Sequence, residues 1–313
     1  MSDYEHASEF AGRPVREWEP GTPLVDPANN AYRVGLTYEE SEGGESWEKK
    51  FEALLNEPGS GRITALVVGV WGEMTGPLGN SREAVEALAA AAGRLNSLRA
   101  IFLGDILAEE HEISWIEHED VSPLFTAYPN LEHFRVRGAN GLHLGTLRHD
   151  HLKSLVIESG GLDASIVRDI TSSQLPSLEH LELWLGVDDY GGTTEIVDLA
   201  PLFNGKLFPK LSYLGLRDSE MSDAIALAVA HAPVLERLRV LDLSLGTLTD
   251  DGAAAFLSSP AAARLELLDI HHHYCSDEMI EKLKAAGIKV DASEQQEPDV
   301  DGDESYRYVA VSE

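Results

Sequence analysis

The sequence contains a single cysteine, Cys275, which excludes an internal disulfide and a cysteine-based zinc site and fits a reducing compartment. Bases are scarce too: 24 Lys and Arg against 54 Asp and Glu give a formal charge of -30, which repels phosphate backbones and anionic lipid. No nucleic-acid or membrane partner is expected. The longest strongly apolar run, Ile63 to Trp71, is far too short to span a bilayer. MSDYEHASEF at the start has neither a basic head nor an apolar stretch, so a cytoplasmic address is expected. G-x-S-x-G, Walker, dinucleotide and H-E-x-x-H motifs are all missing, and no cofactor is expected. Asp299 to Glu304, D-V-D-G-D-E, lacks the glycine and glutamate placement of a calcium loop and reads as a solvated linker. What remains is a chain of 313 residues, 43% hydrophobic and 25% charged, with ample material for a core.

A repeat organises that material. Apolar triplets spaced L-x-x-L-x-L occur at Leu98/Ile101/Leu103, Leu131/Phe134/Val136, Leu152/Leu155/Ile157, Leu178/Leu181/Leu183, Leu211/Leu214/Leu216, Leu238/Leu241/Leu243 and Leu265/Leu268/Ile270. Their first members are 33, 21, 26, 33, 27 and 27 residues apart. Ile63/Leu66/Val68 is a weaker copy upstream, and Ile288/Val290 a truncated one downstream. Each alternating stretch predicts a short strand with one face buried, followed by helical spacing such as Ala224 to Ala230, Gly252 to Leu257 and Glu278 to Ala285. Ser222-Asp223, Thr249-Asp250 and Ser276-Asp277 stand ahead of those helices as N-caps. Strand, turn and helix in about 27 residues predict an α/β leucine-rich-repeat solenoid, with a curved parallel sheet on the concave face and helices on the convex face.

The solenoid is expected over residues 61–290. Residues 1–60 lack the repeat and read as an N-terminal cap, with a strand-like Ala31 to Tyr38, an acidic loop, and an amphipathic helix from Trp47 to Leu55. Residues 291–313 form an acidic tail: Asp291 to Glu304 carries seven acids and no base, the composition of a flexible tether. Tyr306 to Val311 returns to strand composition, and either folds back on the terminal strand or hangs free.

The Gly- and Asp-rich units, for example Leu243-Ser-Leu-Gly-Thr-Leu-Thr-Asp-Asp-Gly-Ala253, resemble the ribonuclease-inhibitor-like class of leucine-rich repeats. More narrowly, the chain resembles an uncharacterised bacterial family of such proteins. The strings that carry this are Phe102-Leu-Gly-Asp-Ile106 with Glu112-Ile-Ser-Trp-Ile116, Glu158-Ser-Gly-Gly161, Leu183-Trp-Leu-Gly186 with Tyr190-Gly-Gly192, Leu214-Gly-Leu-Arg-Asp-Ser-Glu220 and His271-His-His-Tyr274. The resemblance covers the chain to about residue 290 and implies an accessory role, since members are thought to be encoded beside radical-type, ATP-using and phosphatase-like enzymes.

If the triplet residues face inward, the residues between them face the concave side. The candidate partner-binding set is Arg135, Arg137, Glu158, His180, Glu182, Trp184, Tyr213, Arg217, Asp242 and His271, a mixture of forked donors, carboxylates and aromatic anchors suited to an interface. Two readings of the arginines stay open: they meet a partner, or they neutralise Glu158, Glu182 and Asp218 on neighbouring strands. Trp184 is either an anchor or is covered by the insertion from Val187 to Asn204. In the insertion after Leu103, Ile113, Trp115 and Ile116 are expected to pack beneath an acidic loop. Asp105, Asp218 and Asp242 are expected to cap turns at strand ends.

The expected function is a non-enzymatic scaffold that binds a protein partner on the concave face, with the oligomeric state left open. Two alternatives come from other classes. One is a metal-dependent enzyme component using the cluster His271, His272 and His273, although the spacing fits no zinc pattern and His273 falls where its ring can bond backbone carbonyls. The other is regulation of a nucleotide hydrolase through a concave-face arginine, which rests on fold analogy.

Overall fold

A computed structural model describes residues 5–75, 78–302 and 304–312. They divide into two compact units: residues up to Glu158 with Ser173–Leu175, and Ser159–Ser172 with Pro176–Ser312. Both are α/β, with parallel strands joined through helices or short turns, an arrangement that fits the leucine-rich-repeat reading.

In the first unit the strands are β1 (Glu9–Phe10), β2 (Arg13–Glu17), β3 (Ala31–Val34), β4 (Ala65–Val68), β5 (Ala100–Leu103), β6 (His133–Arg137) and β7 (Ser154–Glu158). β1 and β2 form an antiparallel hairpin, and from β2 onward each strand pairs in parallel with the next. The helices are α1 (Tyr38–Glu42), α2 (Trp47–Asn56), α3 (Arg82–Ala90) and α4 (Ser122–Ala127). Triplet residues sit side by side: Leu66 opposes Ile101, Ile101 opposes Phe134, and Phe134 opposes Leu155. The same register continues into the region expected to be a cap, where Tyr32 opposes Leu66 and Val34 opposes Val68.

The second unit has β8 (His180–Gly186), β9 (Tyr213–Ser219), β10 (Val240–Asp242), β11 (Leu267–Asp269) and β12 (Val290–Asp291), each parallel to its neighbour. Its helices are α5 (Ala164–Thr171), α6 (Ile196–Phe203), α7 (Ser222–Val229), α8 (Asp250–Ala253) and α9 (Asp277–Ala285). A two-stranded hairpin of β13 (Asp299–Asp301) and β14 (Glu304–Tyr306) lies in the acidic segment expected to be a tether. No side chain of the seven triplets is more than 5% exposed, so each contributes close to its full burial free energy, about 1.5–3 kcal/mol. No helix among the described residues is long and apolar enough to cross a membrane.

Helix capping follows the sequence with one exchange. Thr249 and Ser276 accept hydrogen bonds from backbone N–H groups of α8 and α9, as expected. Ser222 and Asp223 do not cap α7; Ser222 donates to the Ser219 carbonyl, while Asp223 accepts from Thr249 and Gly252 in the following repeat. Asp250 accepts from Ser276 in the same way. Capping thus ties one repeat to the next.

The sheet face opposite the triplets was expected to be free. Over β3, β4 and β5 it is not: Ala7 and Phe10 pack on Ala31, Ala65, Val67, Ala100 and Phe102, with the Phe10 and Phe102 rings 5.8 Å apart. Phe102 offers an apolar surface, and the chain's own N-terminal segment covers it. The insertion after Leu103 also differs from expectation, since Ile113 and Ile116 are buried while Trp115 is 61% exposed.

Candidate binding face

Three of the ten candidate residues lie in the first unit. Arg135 and Arg137 are on β6 and Glu158 is on β7, where Arg137 directly opposes Glu158 in the register. Arg137 Nε donates to Glu158 at 2.8 Å and Nη1 to the Ile106 carbonyl, while Arg135 pairs with the same carboxylate and lies over the Phe102 ring at 4.4 Å. Arg137 and Glu158 are both buried. Their side chains are spent inside the molecule, which follows the neutralising alternative for these arginines.

Seven lie in the second unit and form one network. Glu182 on β8 is its hub: its carboxylate accepts from Trp184 Nε1 at 2.8 Å and Arg217 Nη1 at 2.8 Å, and pairs with His180 Nε2 at 3.2 Å. Arg217 also donates to Ser244 at 2.9 Å and lies 3.3 Å from Asp242. Its guanidinium carbon is 5.2 Å from the centre of the Trp184 ring. Tyr213 stacks on His180 with centroids 3.8 Å apart and donates its hydroxyl hydrogen to Asp242 at 2.5 Å. Next along, Asp242 opposes Asp269 in the register, and Asp269 bonds His271 Nδ1 at 2.7 Å.

Gly215 relieves crowding in this packing. It stands between Glu182 and Asp242 on the shared face, and a Cβ there would come within 3.1 Å of Glu182 Cγ and Tyr213 Cε1. Leaving that space empty lets the two long side chains fold across it.

Burial and charge divide the network. Burial pushes the Glu182 carboxyl up, but the His180 bond, the Arg217 charge and the Trp184 N–H together outweigh it and hold Glu182 far below the usual range. Asp242 is raised, first by burial and further by Asp269, against the pull of Arg217. Burial and then the charges of Glu182 and Asp242 push the Tyr213 phenol well up. His271 is raised, chiefly by its bond to Asp269. Trp184, Glu182 and Asp242 are buried and form a floor, above which His180, Tyr213, Arg217 and His271 stay partly exposed.

A crystal structure of a Bacteroides fragilis protein, a Northeast Structural Genomics Consortium target, matches at 33% identity and a TM-score of 0.79, over 84% of this chain and 74% of that one. The chain belongs to the family of that protein. An internalin from Listeria monocytogenes matches over 91% of this chain and 87% of its own at 14% identity, and its TM-score of 0.40 gives that likeness no weight. No protein-family profile and no curated protein matches.

In this family member the three consecutive histidines diverge. His271 turns to Asp269, His272 Nδ1 to the Gly246 carbonyl, and His273 Nε2 to the Ala292 carbonyl at 3.1 Å. His273 Nδ1 accepts the Cys275 N–H at 3.0 Å, so both of its ring nitrogens are occupied by backbone. Among the described residues no group of three His, Cys, Asp or Glu side chains is placed to hold a metal ion. Burial pushes the Cys275 thiol up to about 12.

Two expected turn caps reach much further. Asp242 does accept the Ser244 N–H. Asp105 instead accepts the Ala7 N–H and the Arg33 Nε–H at 2.9 Å, and Asp218 accepts the Val311 N–H at 2.9 Å, so Arg217 balances Glu182 and Asp242 rather than Asp218. Around Asp105 lies a cluster invisible in the repeat: Arg33 also meets Glu17, and His6 lies 3.4 Å from Asp105 and 3.5 Å from Glu110. Its one signal was an arginine within an apolar strand, Ala31-Tyr-Arg-Val34.

Proposed function

We propose that the chain is a non-enzymatic, cytoplasmic leucine-rich-repeat solenoid of the ribonuclease-inhibitor-like class that binds a protein partner on the concave side of its sheet. The observation that supports this is the second unit's network: His180, Tyr213, Arg217 and His271 present donors and aromatic surface on one face, each oriented by a carboxylate beneath or beside it. Donors held in place before contact lose little freedom on binding, which favours affinity over an equally polar but mobile surface. Glu182, Asp242 and Trp184 serve in this reading as support, and the partner touches the four half-buried side chains. No observation favours the second reading, regulation of a nucleotide hydrolase through a concave-face arginine, since Arg137 is paired with Glu158 and Arg217 with Glu182 and Asp242.

The test is affinity capture from the source cell with the wild type, a His180→Ala/His271→Ala variant, and Val197→Ala on the exposed side of α6 as control. Loss of one defined partner in the double variant alone is expected. Retention of that partner by all three proteins refutes the site.

A further inference from the structure

Three non-glycine residues stand in the left-handed region, Asp218 near the end of β9 and Leu245 and His272 just after β10 and β11, at φ 52, 65 and 57 degrees. L-residues adopt this conformation at a cost, and it concentrates where backbone groups are aimed at a ligand. Here the groups are already engaged. The Leu245 carbonyl accepts the Ala310 N–H at 2.8 Å, the Asp218 carboxylate accepts the Val311 N–H at 2.9 Å, and the Tyr274 hydroxyl donates to the Tyr308 carbonyl while accepting the Tyr308 N–H. Val309 and Val311 are buried, whereas every described residue from Glu297 to Tyr308 is exposed.

The segment is therefore a short docked tag on a long wet tether. Ordering four residues costs about as much free energy as burying two valines returns, so the tag is held largely by the high local concentration its tether imposes. The tether from Glu297 to Tyr308 itself resists docking, because its five acids against one base belong to a chain of net charge -30. We propose that the strand end at Asp218, the turn at Leu245 and the loop at Tyr274 form a binding site for an extended peptide with valine-sized residues two apart, which Tyr308–Val311 occupies in cis. This site is separate from the sheet face and does not depend on it. An incoming peptide of the same pattern supplies the same three backbone donors and the same alternating side chains, and displaces the tag without rearranging the residues that receive it.

The probe is a fluorescein-labelled peptide of residues Ser305 to Ser312, titrated by anisotropy against full-length protein. Val309→Asp/Val311→Asp, which frees the site, is expected to bind it at least tenfold more tightly than the wild type does. Adding Asp218→Gly, which tolerates the left-handed turn but removes the acceptor, is expected to abolish that gain. No saturable binding by the folded double variant, equal binding by it and the wild type, or undiminished binding after Asp218→Gly each overturns the proposal. Hydrogen exchange on the wild type needs no variant: the Ala310 and Val311 amides are expected to exchange at least 100-fold faster than those of β9, and matching protection shows that the tag does not detach.

Discussion

The Tyr213 hydroxyl donates to the Asp242 carboxylate at 2.5 Å, linking neighbouring strands on the candidate face. Asp242 is buried, and its other bonds come from the Ser244 N–H and the nearby Arg217. Tyr213→Phe is expected to remove about 1–3 kcal/mol of stability by leaving a buried acceptor short of a donor. Urea unfolding of the two proteins at neutral pH measures the difference.

Acid should act through Glu182. Its folded pKa lies below the ordinary 4.5, so its contribution is present above the unfolded value and is lost as pH falls through the folded one. Wild-type stability is expected to decline below about pH 4.5 more steeply than that of Glu182→Gln, compared by urea midpoints from pH 7 to pH 3. Parallel curves would mean that the Glu182 network does not couple to folding.

Glu158 holds two arginines at once. Its replacement by Gln leaves Arg137, which is 3% exposed, without its countercharge, and a loss of about 3–5 kcal/mol is expected. Arg137→Met/Glu158→Leu removes the buried pair, leaves only the more exposed Arg135 to be met by solvent, and is expected to cost less than the single change. A double variant less stable than the single one contradicts this account.

His6 shows the opposite pH sign. Burial lowers its pKa, but Asp105 and Glu110 outweigh burial and raise it to about 9 from 6.5. The stability it adds is complete below about pH 6.5 and disappears as pH rises through about 9. His6→Gln is expected to be less stable than wild type at pH 6 and indistinguishable from it at pH 10, by thermal melting at each pH.

Two glycines separate crowding from backbone conformation. Gly186 has φ +65 degrees, and a Cβ there would lie 1.9 Å from the Gly160 carbonyl oxygen; Gly191 has φ +90 degrees with nothing within 4 Å. Gly191→Ala is expected to cost about 1–2 kcal/mol from the left-handed conformation alone. Gly186→Ala adds a backbone clash and should cost clearly more, read from chemical denaturation of both variants.

Much of this arrangement was legible in one dimension. Each triplet side chain is buried, and neighbouring triplets meet in register, because a strand of period two can hide its leucines only by placing them beside the leucines of the next strand. The glycine strings ending at Gly161, Gly186 and Gly192 were visible as well, but not their reason: a Cβ on Gly161 would strike Gly192 N and Tyr190 O, and one on Gly186 would strike Gly160. Such contacts join residues about thirty apart, and no spacing rule reports them.

The amino-acid order by itself determined the α/β class, the repeating strands, the alternation that puts Arg135, Glu182, Tyr213 and Arg217 on one side of their strands, and the capping at Thr249 and Ser276. Only the tertiary structure decided what those polar side chains do. Charge partners are chosen by distance across strands, so Glu182 rather than Asp218 received Arg217. Coverage is chosen by which chain segment reaches a given surface, so Phe10 came to lie on Phe102, and the Val311 N–H on Asp218 at the end of β9. Periodicity carries neither kind of information, because the first depends on a contact 35 positions apart and the second on contacts about ninety apart.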